Sequence, residues 1–341
     1  MQAFTYSFSE GGWSKFSSSI PAPTTASLKP GEILIKVHAA ALNPVDYKKP
    51  SISPLPSWTL GNKPIGQDFS GVVVATTASS AFKEGDDVFG TTSCCLAEYL
   101  VCKSTNAALK PASLTYAQAA SLVTIVQTGL QALRKVPSLK EGGRVLVIGA
   151  SGGCGLAGVQ LARARVGPSG KVIGVCSAAS APLVQSLGVT DALLDYTTPA
   201  TFLEGLKAWG PFDMAYDTVS SWEATDTLGG GTPYAQAVTP YLASGVGAKV
   251  VAINGSTRQW VGAILGWSGS STYELFMQEP SQGDLLATVE LVERGLLKPI
   301  IDSQHPFTEA GCEAAYARLK SRRAKGKVVV DVIAAAAAAV Q

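Results

Sequence analysis

Residues 144–155 read RVLVIGASGGCG, and this stretch decides the fold. The apolar run 145–148 stops at Gly149. Gly152, Gly153 and Gly155 follow, and Leu156, Val159, Gln160 and Leu161 open a helical pattern. A buried strand that passes through a glycine turn into a helix lets backbone N–H groups approach a diphosphate with no side chain in the way. The helix N-terminus adds partial positive charge at the same point. Strand before and helix after are the context that makes a glycine triplet a nucleotide-binding signal rather than a tight turn. Ser151, Gly152, Gly153, Cys154 and Gly155 are the phosphate-facing residues this reading names.

Outward from this turn, strand and helix alternate. Strands are expected over 171–176, 192–195, 214–217 and 249–253, with helices over 182–187, 202–208 and 234–242 between them. Alternation at that spacing makes a parallel sheet covered on both faces, because parallel strands need crossover helices. Before it, EILIKVHAAAL, DFSGVVVAT, DDVFGT and AEYLVCK read as short strands between turns, the pattern of a barrel-like β domain. From Tyr116 the apolar spacing becomes helical. The last section (DLLATVELVERG, EAAYARLK, KVVVDV) is expected to pack back onto the β domain. The expected division is 1–123 with 276–341, and 124–275.

The chain has 341 residues, enough for two cores, with 46% hydrophobic and 15% charged residues. A net charge of +2 and no basic stripe with interleaved aromatics give no reason to expect a nucleic-acid partner. The basic run Lys320, Arg322, Arg323, Lys325 and Lys327 reads as a solvated face. No apolar run approaches the roughly 20 residues of a membrane span. The N-terminus lacks leader features, and the alanine-rich tail after Ile333 reads as frayed. Six cysteines without a CxxC pair suit reduced thiols in a cytoplasmic compartment, or an organelle if a presequence has been removed. With two histidines, His38 and His305, and no ligand cluster, no metal site is expected; His38 reads as structural.

Ordered motifs run nearly the full length: AALNPVDYKK (40–49), PIGQDFSGVVV (64–74), DDVFGT (86–91), QTGLQAL (127–133), the glycine turn, DTV (217–219), LKPIID and RAKGKVVV. On these the chain resembles the medium-chain dehydrogenase/reductase superfamily, in its zinc-free quinone oxidoreductase (zeta-crystallin-like) branch. NPVDYK is similar to the alkenal/enone reductases. The resemblance implies an α/β protein with a GroES-like β-barrel catalytic domain and a Rossmann doubly wound parallel-sheet domain. It also implies NADPH-dependent reduction of a quinone or of the C=C bond of an enone or 2-alkenal, and a homodimer or other homo-oligomer. The zinc-dependent cousins carry Gly-His-Glu where this chain has Gly66-Gln67-Asp68. An alcohol dehydrogenase needs a metal at its alkoxide, so the alcohol reading is set aside. A non-catalytic, NADPH-binding protein of the crystallin type stays as the alternative.

An NAD site places an acidic residue after its second strand. Here Cys176 is followed by Ser177-Ala178-Ala179-Ser180, with no carboxylate in the loop to repel a 2′-phosphate and with Ser177 and Ser180 as donors. NADPH is therefore the expected cofactor. The resemblance implies further cofactor contacts from Asn43, Thr128, Tyr196, Val219, Ile253 and Lys327. Hydride addition to an enone leaves negative charge on the carbonyl oxygen, so a site needs a donor aimed there. Lys48 is the leading residue for that role and Tyr47 the second. Asn43 and Pro44 are expected to shape a loop. Asp46 and Asp68 are not an acid/base pair, because solvent can protonate the enolate carbon. Cys94 and Cys95 read as structural, lacking cationic neighbours. Trp260, Trp267, Tyr273 and Phe276 read equally as an apolar substrate border or as core.

Overall fold

The computed structural model describes residues 1–6, 14–52, 63–220, 227–228, 231–245, 247–255, 259, 261 and 271–333; Trp260, Trp267 and the tail after Ile333 lie outside the described residues. The chain divides into two compact units, Met1–Thr124 with Pro280–Gln341, and Ile125–Glu279.

The first unit opens with β1 (Ala3–Tyr6), β2 (Ser14–Ser17), β3 (Glu32–Ala41), α1 (Pro44–Ile52), β4 (Asp68–Thr76), β5 (Asp87–Thr91), β6 (Tyr99–Lys103) and β7 (Ala107–Leu109). Helix α2 (Tyr116–Arg134) leads from it into the second unit. There β8 (Arg144–Ile148), α3 (Gly153–Val166), β9 (Lys171–Val175), α4 (Ala181–Gln185), β10 (Ala192–Leu194), α5 (Pro199–Trp209), β11 (Met214–Asp217), α6 (Tyr234–Val238), β12 (Lys249–Ala252) and β13 (Tyr273–Leu275) follow. The chain then returns to the first unit with α7 (Gln282–Glu293), β14 (Ile301–Pro306), α8 (Glu309–Lys320) and β15 (Lys327–Asp331).

The first unit is built on a seven-stranded sheet ordered β14-β15-β3-β4-β5-β7, with β6 paired to β3. Two register shifts between β3 and β4 mark bulges, which bend a sheet toward closure. Its core gathers Phe4, Ile35, Phe69, Leu96, Phe307 and Tyr316. The last section thus packs with the β domain, β15 pairing antiparallel to β3. The NPVDYK motif departs from the expected loop: it opens α1, with Pro44 as the first helical residue. Proline is preset for that position, and Asp46 secures the turn, its Oδ2 accepting from Asn43 N at 2.8 Å. The basic run is likewise not wholly solvated. Lys327 is buried.

The second unit is a six-stranded parallel sheet ordered β10-β9-β8-β11-β12-β13. Numbered from β8, that is the 3-2-1-4-5-6 order of a dinucleotide fold, whose strand order reverses between β8 and β11. Parallel register aligns Leu194, Val175, Ile148, Asp217 and Ala252 in one row at the carboxyl edge. Every strand expected here is present. Strand β13 is additional: three residues are too few to show an alternation.

Candidate active site

The glycine turn follows β8 at this edge. Gly149 has φ +80°, and a Cβ there would meet Val219 Cγ2 at 2.4 Å and Thr218 Oγ1 at 2.6 Å. A Cβ on Gly155 would lie 2.0 Å from the Gly149 carbonyl oxygen, so the helix packs on the turn only because that position is glycine. Gly152 is different. Among the described residues a Cβ there would meet, apart from its chain neighbours, only Gly149 O, at 3.5 Å, so the space before it is open. Gly152 is the N-cap of α3 and no side chain caps the first turn. Leu156 N donates to Gly152 O at 2.8 Å, the first bond of the helix. First-turn amides without an intrahelical partner, beside an open approach, fit a dinucleotide diphosphate. Ser151, Gly153 and Cys154 are half-buried in the same turn.

The neighbouring strand end is organised by Asp217, which is fully buried. Its Oδ1 accepts from Val219 N at 2.9 Å and Ser220 N at 3.0 Å, and its backbone oxygen accepts from Ile253 N at 3.2 Å. Thr218 Oγ1 donates to Ile148 O at 2.7 Å. Val219 and Ile253 are thereby held beside the glycine turn. Asp217 and Thr218, which do the holding, were legible only as part of the DTV motif.

The loop after β9 differs from its sequence reading. Ser180 is buried, and its hydroxyl accepts from Ser177 Oγ at 3.3 Å. A carboxylate does reach this loop: Asp195 Oδ2 accepts from Ala178 N at 3.2 Å. It stands one residue past the end of β10, whose register with β9 sets Leu194 opposite Val175. Bonds from Thr197 N at 2.9 Å and Thr197 Oγ1 at 2.7 Å hold the Asp195 carboxyl below the ordinary carboxylate range, so it is ionised at neutral pH. Tyr196 packs partly buried against the sheet's core. Thr128 is buried in the interior of α2. Tyr273 and Phe276 also belong to this unit. Phe276 is buried, and Tyr273 packs against the core while accepting from Gln259 Nε2 at 3.1 Å.

In the first unit a buried polar network surrounds the start of α1. The Lys327 ammonium donates to Leu42 O at 2.8 Å, to Asn43 Oδ1 at 2.7 Å and to Asp68 Oδ2 at 3.4 Å. Asn43 Nδ2 donates to Asp68 Oδ2 at 2.8 Å, and Thr124 Oγ1 to Asp68 Oδ1 at 2.5 Å. Lys48 is half-buried on α1. Tyr47 packs against the barrel core, with Lys320 Nζ 5.5 Å from its ring centroid. Burial lowers the affinity of Lys320 for its proton. A cavity of about 150 Å³ is lined by Tyr6, Asp46, Gly66, Gln67 and Cys94, among others. Cys95 is buried, donates to Thr92 O at 3.2 Å, and its thiol is pushed up by burial. His38 packs on Tyr116 with ring centroids 4.0 Å apart and planes tilted by 45°. Among the described residues no group of three His, Cys, Asp or Glu side chains stands close enough to hold a metal ion.

Comparison with known proteins identifies the family. Residues 29–122 match the alcohol dehydrogenase GroES-like domain, and 187–330 match the family model described as zinc-binding dehydrogenase. The chain is 31% identical to the human mitochondrial NAD(P)H oxidoreductase RTN4IP1, over 89% of this chain and 82% of that one. It is 32% identical to the chloroplastic NADPH-dependent alkenal/one oxidoreductase of Arabidopsis thaliana, over 97% and 79%. The structure of the quinone oxidoreductase from Coxiella burnetii superposes with a TM-score of 0.77 at 26% identity, covering 97% of this chain and 99% of that one. The chain therefore belongs to the medium-chain dehydrogenase/reductase superfamily, as a quinone oxidoreductase-like member.

Proposed function

We propose that the protein is an NADPH-dependent reductase that transfers hydride to a quinone or to the β-carbon of an enone or 2-alkenal, without zinc. The observation that carries this reading is the uncapped N-terminus of α3 behind the open face of Gly152, in a chain 32% identical to an NADPH-dependent alkenal/one oxidoreductase. Bound NADPH supplies the hydride. Ser151, Gly152, Gly153, Cys154 and Gly155 bind its diphosphate through backbone amides, and Ser177, Ser180 and Tyr196 lie toward its adenosine end. Asn43, Thr128, Val219, Ile253 and Lys327 complete the proposed cofactor set. For Lys327 the support is indirect: its three donors go to protein acceptors, so it acts by fixing Asn43.

Lys48 donates to the carbonyl oxygen as negative charge builds on it, and Tyr47 is a second donor that relays a proton through water. Asp46, on the same helix, lines the cavity of the first unit. The zinc-free reading is supported by Asp68, whose oxygens accept from Asn43, Thr124 and Lys327. A cytoplasmic location, or an organelle if a presequence has been removed, is consistent with six cysteines that form no disulfide, and no described helix is long and apolar enough to cross a membrane. A homodimer or other homo-oligomer acting on a small molecule, with no nucleic-acid partner, completes the proposal. The test is NADPH oxidation with 1,4-benzoquinone, a short 2-alkenal and a cyclic enone. Turnover on at least one supports the reading. Failure on all three while NADPH binds points to the non-catalytic alternative.

A further inference from the structure

Tyr216, in β11, lies against α3. A Cβ on Gly158 would come within 2.9 Å of its Cδ1 and Cε1. Cys154 stands four residues before Gly158, on the same helix face one turn nearer the N-terminus. The Tyr216 residue is only 3% exposed, and its hydroxyl finds no nitrogen or oxygen partner among the described residues. A buried hydroxyl in that state costs folding free energy. Asp217 is not its acceptor. Successive strand side chains point to opposite faces, and that carboxylate accepts from Val219 and Ser220. After burial, the neighbour that pushes the Tyr216 phenol up most is the Cys154 sulfur. An orphaned donor therefore faces a sulfur that can accept from it once ionised or oxygenated. The thiols of Cys95, Cys102 and Cys312 are pushed up by burial, and Cys176 is buried as well. Cys154 is half-buried, forms no disulfide and is the second residue of α3, where a helix N-terminus favours the thiolate.

We propose that Cys154 is an oxidation-sensitive thiol whose modification by a hydroperoxide closes the diphosphate turn to NADPH, with the Tyr216 hydroxyl as the donor that holds the thiolate and its sulfenate product. The Cys154 thiolate attacks the peroxide: an S–O bond forms and the O–O bond breaks. Sulfur gives up two electrons, and the alkoxide or hydroxide released takes a proton from water. The sulfenic acid condenses with a free thiol such as glutathione to a mixed disulfide, releasing water, and a second thiol restores Cys154 by exchange. An adduct on this sulfur sits in the same turn whose amides receive the diphosphate in the reductase reading above, on which this inference rests. Tyr216 is a positioning residue that acts through Cys154.

The test treats the wild-type protein with hydrogen peroxide and glutathione, with and without NADPH, then removes the reagents. Peptide mass spectrometry locates the adduct and calorimetry measures NADPH binding. The expected result is a glutathione adduct on Cys154, loss of detectable NADPH binding, recovery on dithiothreitol, and protection of the thiol when NADPH is present during treatment. An unmodified Cys154, an adduct that leaves NADPH affinity unchanged, or one that forms equally with NADPH bound overturns the inference and leaves the reductase reading standing. Absence of NADPH binding in the untreated protein overturns both. Tyr216→Phe keeps the ring and removes the orphaned hydroxyl. Its Cys154 alkylation rate with iodoacetamide should follow a pH profile displaced upward by about one unit, the scale of one hydrogen bond to a charged group. A profile that coincides with the wild-type one overturns the role of Tyr216. Should that variant not fold, the wild-type treatment decides alone.

Discussion

Lys327 and Asn43 are joined by a 2.7 Å hydrogen bond from ammonium to side-chain oxygen, and the other end of the same amide donates to Asp68 at 2.8 Å. The amide is thus oriented from both sides, by a cation that can only donate and a carboxylate that only accepts. Asn43 immediately precedes α1, so the network sets where the helix carrying Tyr47 and Lys48 begins.

Lys327→Met removes one partner of a buried pair and leaves the Asp68 carboxylate without its cation. The expected loss is about 3–5 kcal/mol of folding stability, the usual cost of an orphaned buried charge. Urea unfolding followed by fluorescence measures it. A change below about 1 kcal/mol would mean that the network is solvated or rearranges freely.

Lys48→Ala tests the charge placed at the carbonyl oxygen. Turnover should fall about 10- to 1000-fold, with only a modest change in NADPH affinity, as for the loss of one oxyanion donor. Lys48→Arg should recover part of the rate. Wild-type kcat in the alanine variant would make Lys48 a surface residue.

Gly152→Val places methyl groups in the open approach before the first turn of α3. NADPH binding should become undetectable by calorimetry, while the melting temperature changes little, because a Cβ there meets, apart from its chain neighbours, only Gly149 O among the described residues. Undiminished NADPH affinity in the folded variant would move the diphosphate elsewhere.

The Arg318 guanidinium, at 2.7 and 2.6 Å, holds the Asp302 carboxyl below the ordinary carboxylate range. A carboxyl lowered in the folded state contributes stability above its unfolded value, about 3.9, and loses it as pH falls through the folded value. The stability gap between the wild-type protein and Arg318→Ala should therefore be full at pH 6 and close progressively below about pH 4. A gap independent of pH would show that Arg318 acts by packing alone.

The parallel sheet was legible because each strand–helix repeat carries its own periodicity, and the glycine turn because it sits between two such elements. Helix α1 was not. NPVDYKK has no apolar stripe, and its start is secured by Pro44 and by a reciprocal contact between Asn43 and Asp46 that only coordinates reveal. Lys327 looked solvated because it ends a basic run, yet β15 turns it inward onto Asn43 and Asp68. Asp195 escaped notice for a related reason. It is distant in sequence from the 177–180 loop and arrives there through strand register, which local pattern does not encode. The diphosphate turn and the polar groups of each unit therefore differ in how they are written. The diphosphate cradle is local sequence, whereas the groups around Asn43 and Ala178 are assembled by tertiary pairing.

In the proposed reaction the nicotinamide delivers hydride to an electron-poor carbon with no metal assisting. Reduction of a cyclic enone with NADPH deuterated at C4, in chelator-treated buffer, tests it most directly. The expected product is a saturated ketone carrying deuterium on its β-carbon, formed at a rate the chelator does not change. An allylic alcohol with deuterium on the carbonyl carbon, or a rate abolished by the chelator and restored by zinc, would contradict it.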